Sequence, residues 1–417
     1  MPNFFSQFKK IEKHIINLIF AEVFIQIINS ALLLILLIYM QKSGYSDFQS
    51  ADFISYRFLG TLLFALPLGF LLKGRPIKPL FLTGSLAIPI LTLVMIYAID
   101  SKADWLLYTS QTLWGISFLC FQITALPYIL RTAKKETHTE AITLSFATYS
   151  FGGIVSGFLI YGLSALNPVF FDEKTILILF ALLGFVSFYF VTKIKNNEKG
   201  QLDMQEKKTL NIFDYDWLLI FKALFPVLII ATGAGLSIPF VGSFFFNVHH
   251  LHASEFALYG SVAAVLVALG AMVVPLIKRT LGYQIAVPLT QTLAVFTLII
   301  LAATEWFSSF SLAASVAIAC YLIRQPLMNI ASPMTSEVVM NYVGDKNREM
   351  ASALTSAIWS GSWFISSRIF KELRETGYAY VNVFLITAML YSIGILCYYL
   401  LIIDYNKRIK LGLISDN

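Results

Sequence analysis

Long apolar stretches recur along the chain, each closed by a short polar turn. A helix needs about 20 mostly apolar residues to cross the hydrocarbon core of a bilayer. Twelve segments meet that length: 16–40, 50–72, 77–99, 104–131, 139–164, 174–194, 217–247, 254–277, 283–304, 308–342, 349–370 and 378–403. The seventh and tenth exceed the bilayer thickness and must tilt, kink or protrude. One extended charged run interrupts the pattern: KIKNNEKGQLDMQEKKTLNIFDYDW, residues 193–217. The expected organisation is a six-helix bundle over 1–194, a cytoplasmic linker over 195–215 and a second six-helix bundle over 216–417. The fold class is all-α and membrane-embedded.

Composition agrees with the pattern. Of the 417 residues 58% are hydrophobic and only 13% are charged, whereas a soluble globular chain carries roughly 25% charge. The net charge of +6 is informative through its placement and is no nucleic-acid signal. With the N-terminus inside, 21 of the 30 Lys and Arg fall in cytoplasmic segments, 6 in outer segments and 3 (Arg57, Lys222 and Arg324) within spans. That bias predicts both termini on the cytoplasmic side, as in a multi-pass protein of the cytoplasmic membrane. The first apolar run is too long for a signal-peptide core and lacks a small-residue cleavage site, so it reads as a retained span. The basic FFSQFKKIEKHI before it suits a membrane surface. Cys120, Cys320 and Cys397 sit in apolar runs without CxxC spacing, so neither disulfide nor metal cluster is expected.

The two halves echo each other. After the fourth span come Pro127, a basic turn and THTEAITLSFATYSFGG. After the tenth come Pro333, a basic turn and KNREMASALTSAIWSGS. LLKGRPIKPL after the second span matches PLIKRTLGY after the eighth. Six-plus-six repeats of this kind are a transporter architecture.

Some spans carry polar residues on one face. Glu22, Gln26 and Asn29 are spaced i, i+4, i+7 in the first. Gln111, Gly115, Phe118 and Gln122 share a face of the fourth. TGAGLSIPF, with Gly233, Gly235 and Pro239, invites an unwound segment in the seventh, tolerable only against protein or a wet cavity. The tenth holds Arg324, Gln325, Asn329, Ser332, Thr335 and Glu337, while the third and sixth are almost wholly apolar. Arg324 lies about 15 residues into its span, roughly mid-membrane at ~1.5 Å per residue. An unsatisfied arginine there costs about 2.5 kcal/mol or more. Arginines suit anion binding or ion pairing. Glu22 reads either as a proton carrier or as a fixed partner of Arg324. Arg57 either binds solute or pairs with Asp52. Glu337 reads as the partner of a nearby base. Trp359 and Trp363 either stack on a solute or pack on neighbours. His249, His250 and His252 near Glu255 read as solvated residues more than as a metal site.

GFLLKGRPIKPLFLTG, 69–84, resembles the loop between the second and third helices of the major facilitator superfamily of secondary transporters. Gly69, Arg75 and Lys78 fit that loop's pattern, and Lys73 stands near the place of its usual Asp. The resemblance implies that these residues take part in conformational gating and that the first, fourth, seventh and tenth helices line a central cavity. Gln111 before Gly115 stands where many proton-driven exporters of the family carry Arg, and the glycine-rich SFGGIVSGFLIYG lacks the family's Gly-Pro pair. The expected function is alternating-access transport of an amphipathic, anionic organic solute, coupled to protons through Glu22. Substrate contacts are expected from Gln26, Asn29, Arg57, Gln111, Gln122, Arg324, Asn329 and Trp359. A proton-driven multidrug exporter and an uncoupled facilitator are the alternatives. No P-loop or hydrolase motif occurs, so neither an enzyme nor a bound cofactor is expected. The expected partners are the solute, H+ and the lipid bilayer, with the chain a monomer that binds no nucleic acid.

Overall fold

The computed structural model describes residues 11–72, 75–134, 137–195 and 215–411. The expected linker, apart from its two ends, lies outside the described residues, as do Lys73 and most of the basic N-terminal segment. The described residues form twelve helices and no strand. They are α1 (Lys13–Lys42), α2 (Asp47–Leu72), α3 (Lys78–Asp100), α4 (Asp104–Thr132), α5 (His138–Leu166) and α6 (Glu173–Thr192). Then follow α7 (Trp217–His249), α8 (253–281), α9 (283–303), α10 (313–343), α11 (345–375) and α12 (Tyr380–Lys410). Ten of these are long and apolar enough to cross a membrane by length and composition. Of the other two, α2 is apolar from Phe58 onward, and α11 is more polar, carrying Arg368, Lys371 and Arg374.

The joints α8–α9 and α10–α11 have no loop. Each pair turns at one glycine in the left-handed region, Gly282 (φ 65°) and Gly344 (φ 72°). Nothing lies within 4 Å of where their Cβ atoms would stand, so it is the backbone conformation that calls for glycine. The tenth span starts later than expected because 304–312 form turns.

The described residues fall into two compact units, one from 11–46, 56–195 and 253–261, the other from 47–55, 215–252 and 262–411. In the first unit α1 packs against α5 and α6, and α3 packs against α4 and α6. Small residues let backbones meet there, as membrane helices need in place of a hydrophobic drive. A Cβ at Gly152 of α5 would stand 2.7 Å from Gln26 Cβ on α1. Ser156 Oγ donates to the Ile27 carbonyl at 2.9 Å. On α4, a Cβ at Gly115 would stand 2.1 Å from the Arg57 carbonyl oxygen. Gly115→Ala is therefore expected to cost about 1–3 kcal/mol, because the obstacle is backbone and cannot rotate away. Thermal unfolding of the detergent-solubilised protein measures this; an unchanged melting temperature contradicts the close approach.

In the second unit α7 packs against α10, α11 and α12. The expected unwinding of α7 is confined to a single 3-10 turn, Ile238–Phe240, with Pro239 in its first positions. Gly233 and Gly235 stay helical within Trp217–Ser237. They are glycines for another reason. A Cβ at Gly235 would stand 2.8 Å from Ser366 Cβ, and one at Gly233 3.0 Å from the Tyr391 ring. These two residues bring α11 and α12 close to α7.

Candidate functional site

Each unit contains a cavity lined by buried polar groups that its apolar surroundings cannot satisfy. In the first unit α1, α4 and α5 enclose about 230 Å³. Glu22 and Gln26 of α1, Gln122 of α4, and Ser145, Thr148 and Tyr149 of α5 supply its polar lining. Glu22 is 7% exposed. Its Oε1 accepts a hydrogen bond from Ser145 Oγ at 3.0 Å, and its buried Oε2 has no partner among the described residues. No basic residue lines this cavity. Asn29, one turn further along α1, donates to Gln26 Oε1 at 3.3 Å and so orients that amide from behind.

Arg57 and Gln111 come together, but outside the lining of this cavity. Arg57 Nε donates to Gln111 Oε1 at 3.1 Å, and the guanidinium lies 4.3 Å over the Trp114 ring. Trp114 Nε1 in turn donates to Thr92 Oγ1 at 3.1 Å. Arg57 Nη2 and Gln111 Nε2 are buried without partners. Arg57 thus finds an amide and an aromatic face, not the Asp52 carboxylate weighed from sequence. Asp52 pairs instead with Arg368 at 2.5 Å and Lys371 at 3.6 Å.

In the second unit α7, α9, α10, α11 and α12 enclose about 170 Å³. Arg324 is the one charged residue of the lining, with Gln291, Gln325, Asn329, Trp359 and Tyr391 among its neighbours. Arg324 is 3% exposed. Its Nη2 donates to Tyr391 Oη at 3.3 Å, and its Nε is buried without a partner among the described residues. A guanidinium without a carboxylate in its own cavity keeps its capacity for an anion. Asn329 Nδ2 donates to the Gln325 carbonyl at 2.9 Å. Trp359 lies 6.4 Å, edge to face, from Trp363. Glu337 is bound to Lys278 Nζ at 2.7 Å, which gives that carboxylate the basic partner expected of it. His249 contacts Thr304 Oγ1 at 2.9 Å.

Two contributors were not anticipated. Gln291 is the amide of an otherwise apolar stretch of α9, and the polar triplet Thr290-Gln291-Thr292 is the signal that could have revealed it. Tyr391 is one of several tyrosines on α12, and nothing in its spacing distinguishes it.

Of the gating candidates, Lys78 caps the carbonyls of Thr192 at 3.0 Å and Ile194 at 2.5 Å. Arg75 is exposed, and its carbonyl accepts from Arg131 Nη1 at 3.0 Å. Gly69 lies in α2.

The sequence model of the Major Facilitator Superfamily matches residues 18–367, most of the helical chain. The chain belongs to the Major Facilitator Superfamily. Solved structures of similar shape are transporters. A bacterial homologue of the iron transporter ferroportin, in an inward-facing state, matches with a TM-score of 0.69 at 17% identity, covering 93% of this chain and 98% of that one. The nucleoside transporter NupG matches with a TM-score of 0.74 at 11% identity, over 93% and 99% of the two chains. A D-xylose-proton symporter matches with a TM-score of 0.70 at 10% identity, over 93% and 95%. At such identities the likeness establishes the superfamily fold alone. No curated protein matches the chain. This superfamily member is a multi-pass membrane protein with a transporter fold and not an enzyme.

Proposed function

We propose that this superfamily protein carries a small amphipathic organic anion across the cytoplasmic membrane by alternating access, coupled to protons. The observation that carries the reading is Arg324: a buried guanidinium on a cavity wall without an acidic residue. Holding such a charge near the membrane centre is costly unless an anion completes it. Trp359 and Tyr391 on the same wall suit the apolar, planar part of the solute. Gln325, Asn329 and Gln291 suit its hydrogen-bonding groups. In the first unit Glu22, with Gln26 and Gln122 beside it, is the proton site. Arg57 and Gln111, already paired, position α2 against α4 and act on the solute only if that pair opens. Pro239 and the Gly69, Arg75 and Lys78 region serve as joints, with Gly233 and Gly235 allowing helices to slide closely past one another. One structural neighbour is described as a D-xylose-proton symporter, which supports proton coupling as a mode open to this fold. Both termini face the cytoplasm in this reading, and one chain suffices.

A thermal-shift screen of the purified protein against carboxylates, phosphates, cations and neutral solutes tests the anion reading. A ligand at about 100 times its Kd adds about 2.7 kcal/mol of stability. Amphipathic anions are expected to raise the melting temperature of the wild type and not of Arg324→Gln. Equal stabilisation of both proteins by the same anions excludes Arg324 as the anion site.

A further inference from the structure

We propose that a groove of the second unit, where the start of α7 meets the ends of α10 and α12, binds a membrane phospholipid whose headgroup carries both a phosphate and a primary ammonium. The groove encloses about 440 Å³ and is separate from the Arg324 cavity. Its apolar part is made by Phe221, Phe225, Leu400 and Leu401, and its two charged residues are Lys222 and Asp404. Phe221, Phe225 and Leu400 remain exposed in the folded chain. The Phe221 and Phe225 rings lie 5.7 Å apart along one side. Lys222 follows Trp217, the first residue of α7, by five positions, about 7.5 Å along the axis. Its charge therefore sits close to the membrane boundary, with the apolar residues leading inward. An apolar groove with a cation and a carboxylate in its lining suits the headgroup end of a lipid.

The charges decide which lipid. Asp404 receives two hydrogen bonds, from Tyr342 Oη at 2.6 Å and Arg408 Nε at 3.1 Å, and both fall on Oδ2. Oδ1 accepts none among the described residues, and the side chain is 44% exposed. Lys222 is exposed and makes no hydrogen bond or ion pair among the described residues. One cation and one carboxylate oxygen without a hydrogen bond thus face a single groove, near enough to act on each other electrostatically but with no hydrogen bond or ion pair between them. A phosphate fits the lysine. A primary ammonium fits Oδ1, because it has three N–H donors, whereas a quaternary choline has none. A purely anionic headgroup would satisfy Lys222 but bring its charge against Asp404.

The test uses the purified full chain, stripped of lipid in detergent and titrated with phospholipids of identical acyl chains bearing ethanolamine, choline or glycerol headgroups. Retained lipid is counted by native mass spectrometry. The ethanolamine lipid is expected to be held about tenfold more tightly than the choline lipid, the worth of one charge-assisted hydrogen bond. Asp404→Asn keeps an oxygen for Tyr342 and Arg408. It is expected to erase the ethanolamine preference while leaving choline retention unchanged. Lys222→Gln, at an exposed position, is expected to weaken all three lipids. Equal retention of ethanolamine and choline lipids by the wild type, an unaltered preference in Asp404→Asn, or strongest retention of the glycerol lipid each overturns the proposal.

Discussion

Glu22→Gln is expected to abolish solute accumulation driven by a proton gradient, while folding and downhill exchange persist. The substitution is conservative where it should be. Glu22 Oε1 accepts from Ser145 Oγ at 3.0 Å, and an amide oxygen can accept the same bond. Oε2 has no partner among the described residues, so the amide nitrogen that replaces it disrupts no existing bond. What disappears is the capacity to gain and lose a proton. A gradient of one pH unit supports about tenfold accumulation for each coupled proton, or about 1.4 kcal/mol. In proteoliposomes the variant's accumulation ratio is expected to fall to about one, with unchanged equilibration when solute runs down its own gradient. Accumulation equal to wild type removes Glu22 from the coupling step. A wild type that never exceeds a ratio of one under a gradient favours the uncoupled facilitator.

Asp47→Ala is expected to give the largest loss of stability among single substitutions at charged positions of the second unit. Asp47 belongs with that unit although it begins α2. Its Oδ2 accepts from Arg374 Nε at 2.6 Å and from Tyr380 Oη at 2.9 Å. Tyr380, 1% exposed, accepts in turn from Asn247 Nδ2 at 2.9 Å. The Arg374 guanidinium lies 4.0 Å over the Tyr380 ring. Removing the carboxylate leaves a half-buried guanidinium and a buried phenol without their acceptor. The expected cost is about 2–3 kcal/mol, reduced from the fully buried case because Asp47 and Arg374 keep some access to water. Asp47→Asn, which retains one acceptor, is expected to cost less. The Asp47→Ala/Arg374→Ala double variant should lose less than the sum of the singles, since the stranded charge has gone. Additive losses in thermal unfolding contradict the coupling.

The candidate site was legible where a residue's chemistry conflicts with its medium. Glu22 and Arg324 were visible because an ionised group among apolar residues is costly anywhere in a membrane, whatever the fold. Gln26 and Gln122, spotted as polar points on separate spans, do share one cavity with Glu22. Asn329 and Trp359 share the other with Arg324. Arg57 and Gln111 were equally visible, but their use was not. Their partnership is a contact between α2 and α4, 54 positions apart in the chain, and no local pattern encodes it. Tyr391 was invisible because a tyrosine is ordinary in a membrane helix. Only the packing of α12 beside α10 makes it the partner of Arg324.

The helices themselves follow from sequence alone. Hydrocarbon leaves backbone polar groups no partner but their own segment, so long apolar runs in such a chain must be helices, and their count can be read directly. Composition likewise determined that the protein lives in a membrane, and the loop pattern near 69–84 pointed to its superfamily. Tertiary structure decided what local periodicity cannot express. It made Gly233 and Gly235 points of close approach and assigned the break in α7 to Pro239. It let Gly282 and Gly344 turn the chain without loops. It grouped residues 47–55 of α2 and 253–261 of α8 with the opposite unit from the rest of their helices. Each of these depends on which surfaces meet, and an apolar helix face carries little information about which apolar neighbour it will meet, because lipid and protein are nearly equivalent solvents for it.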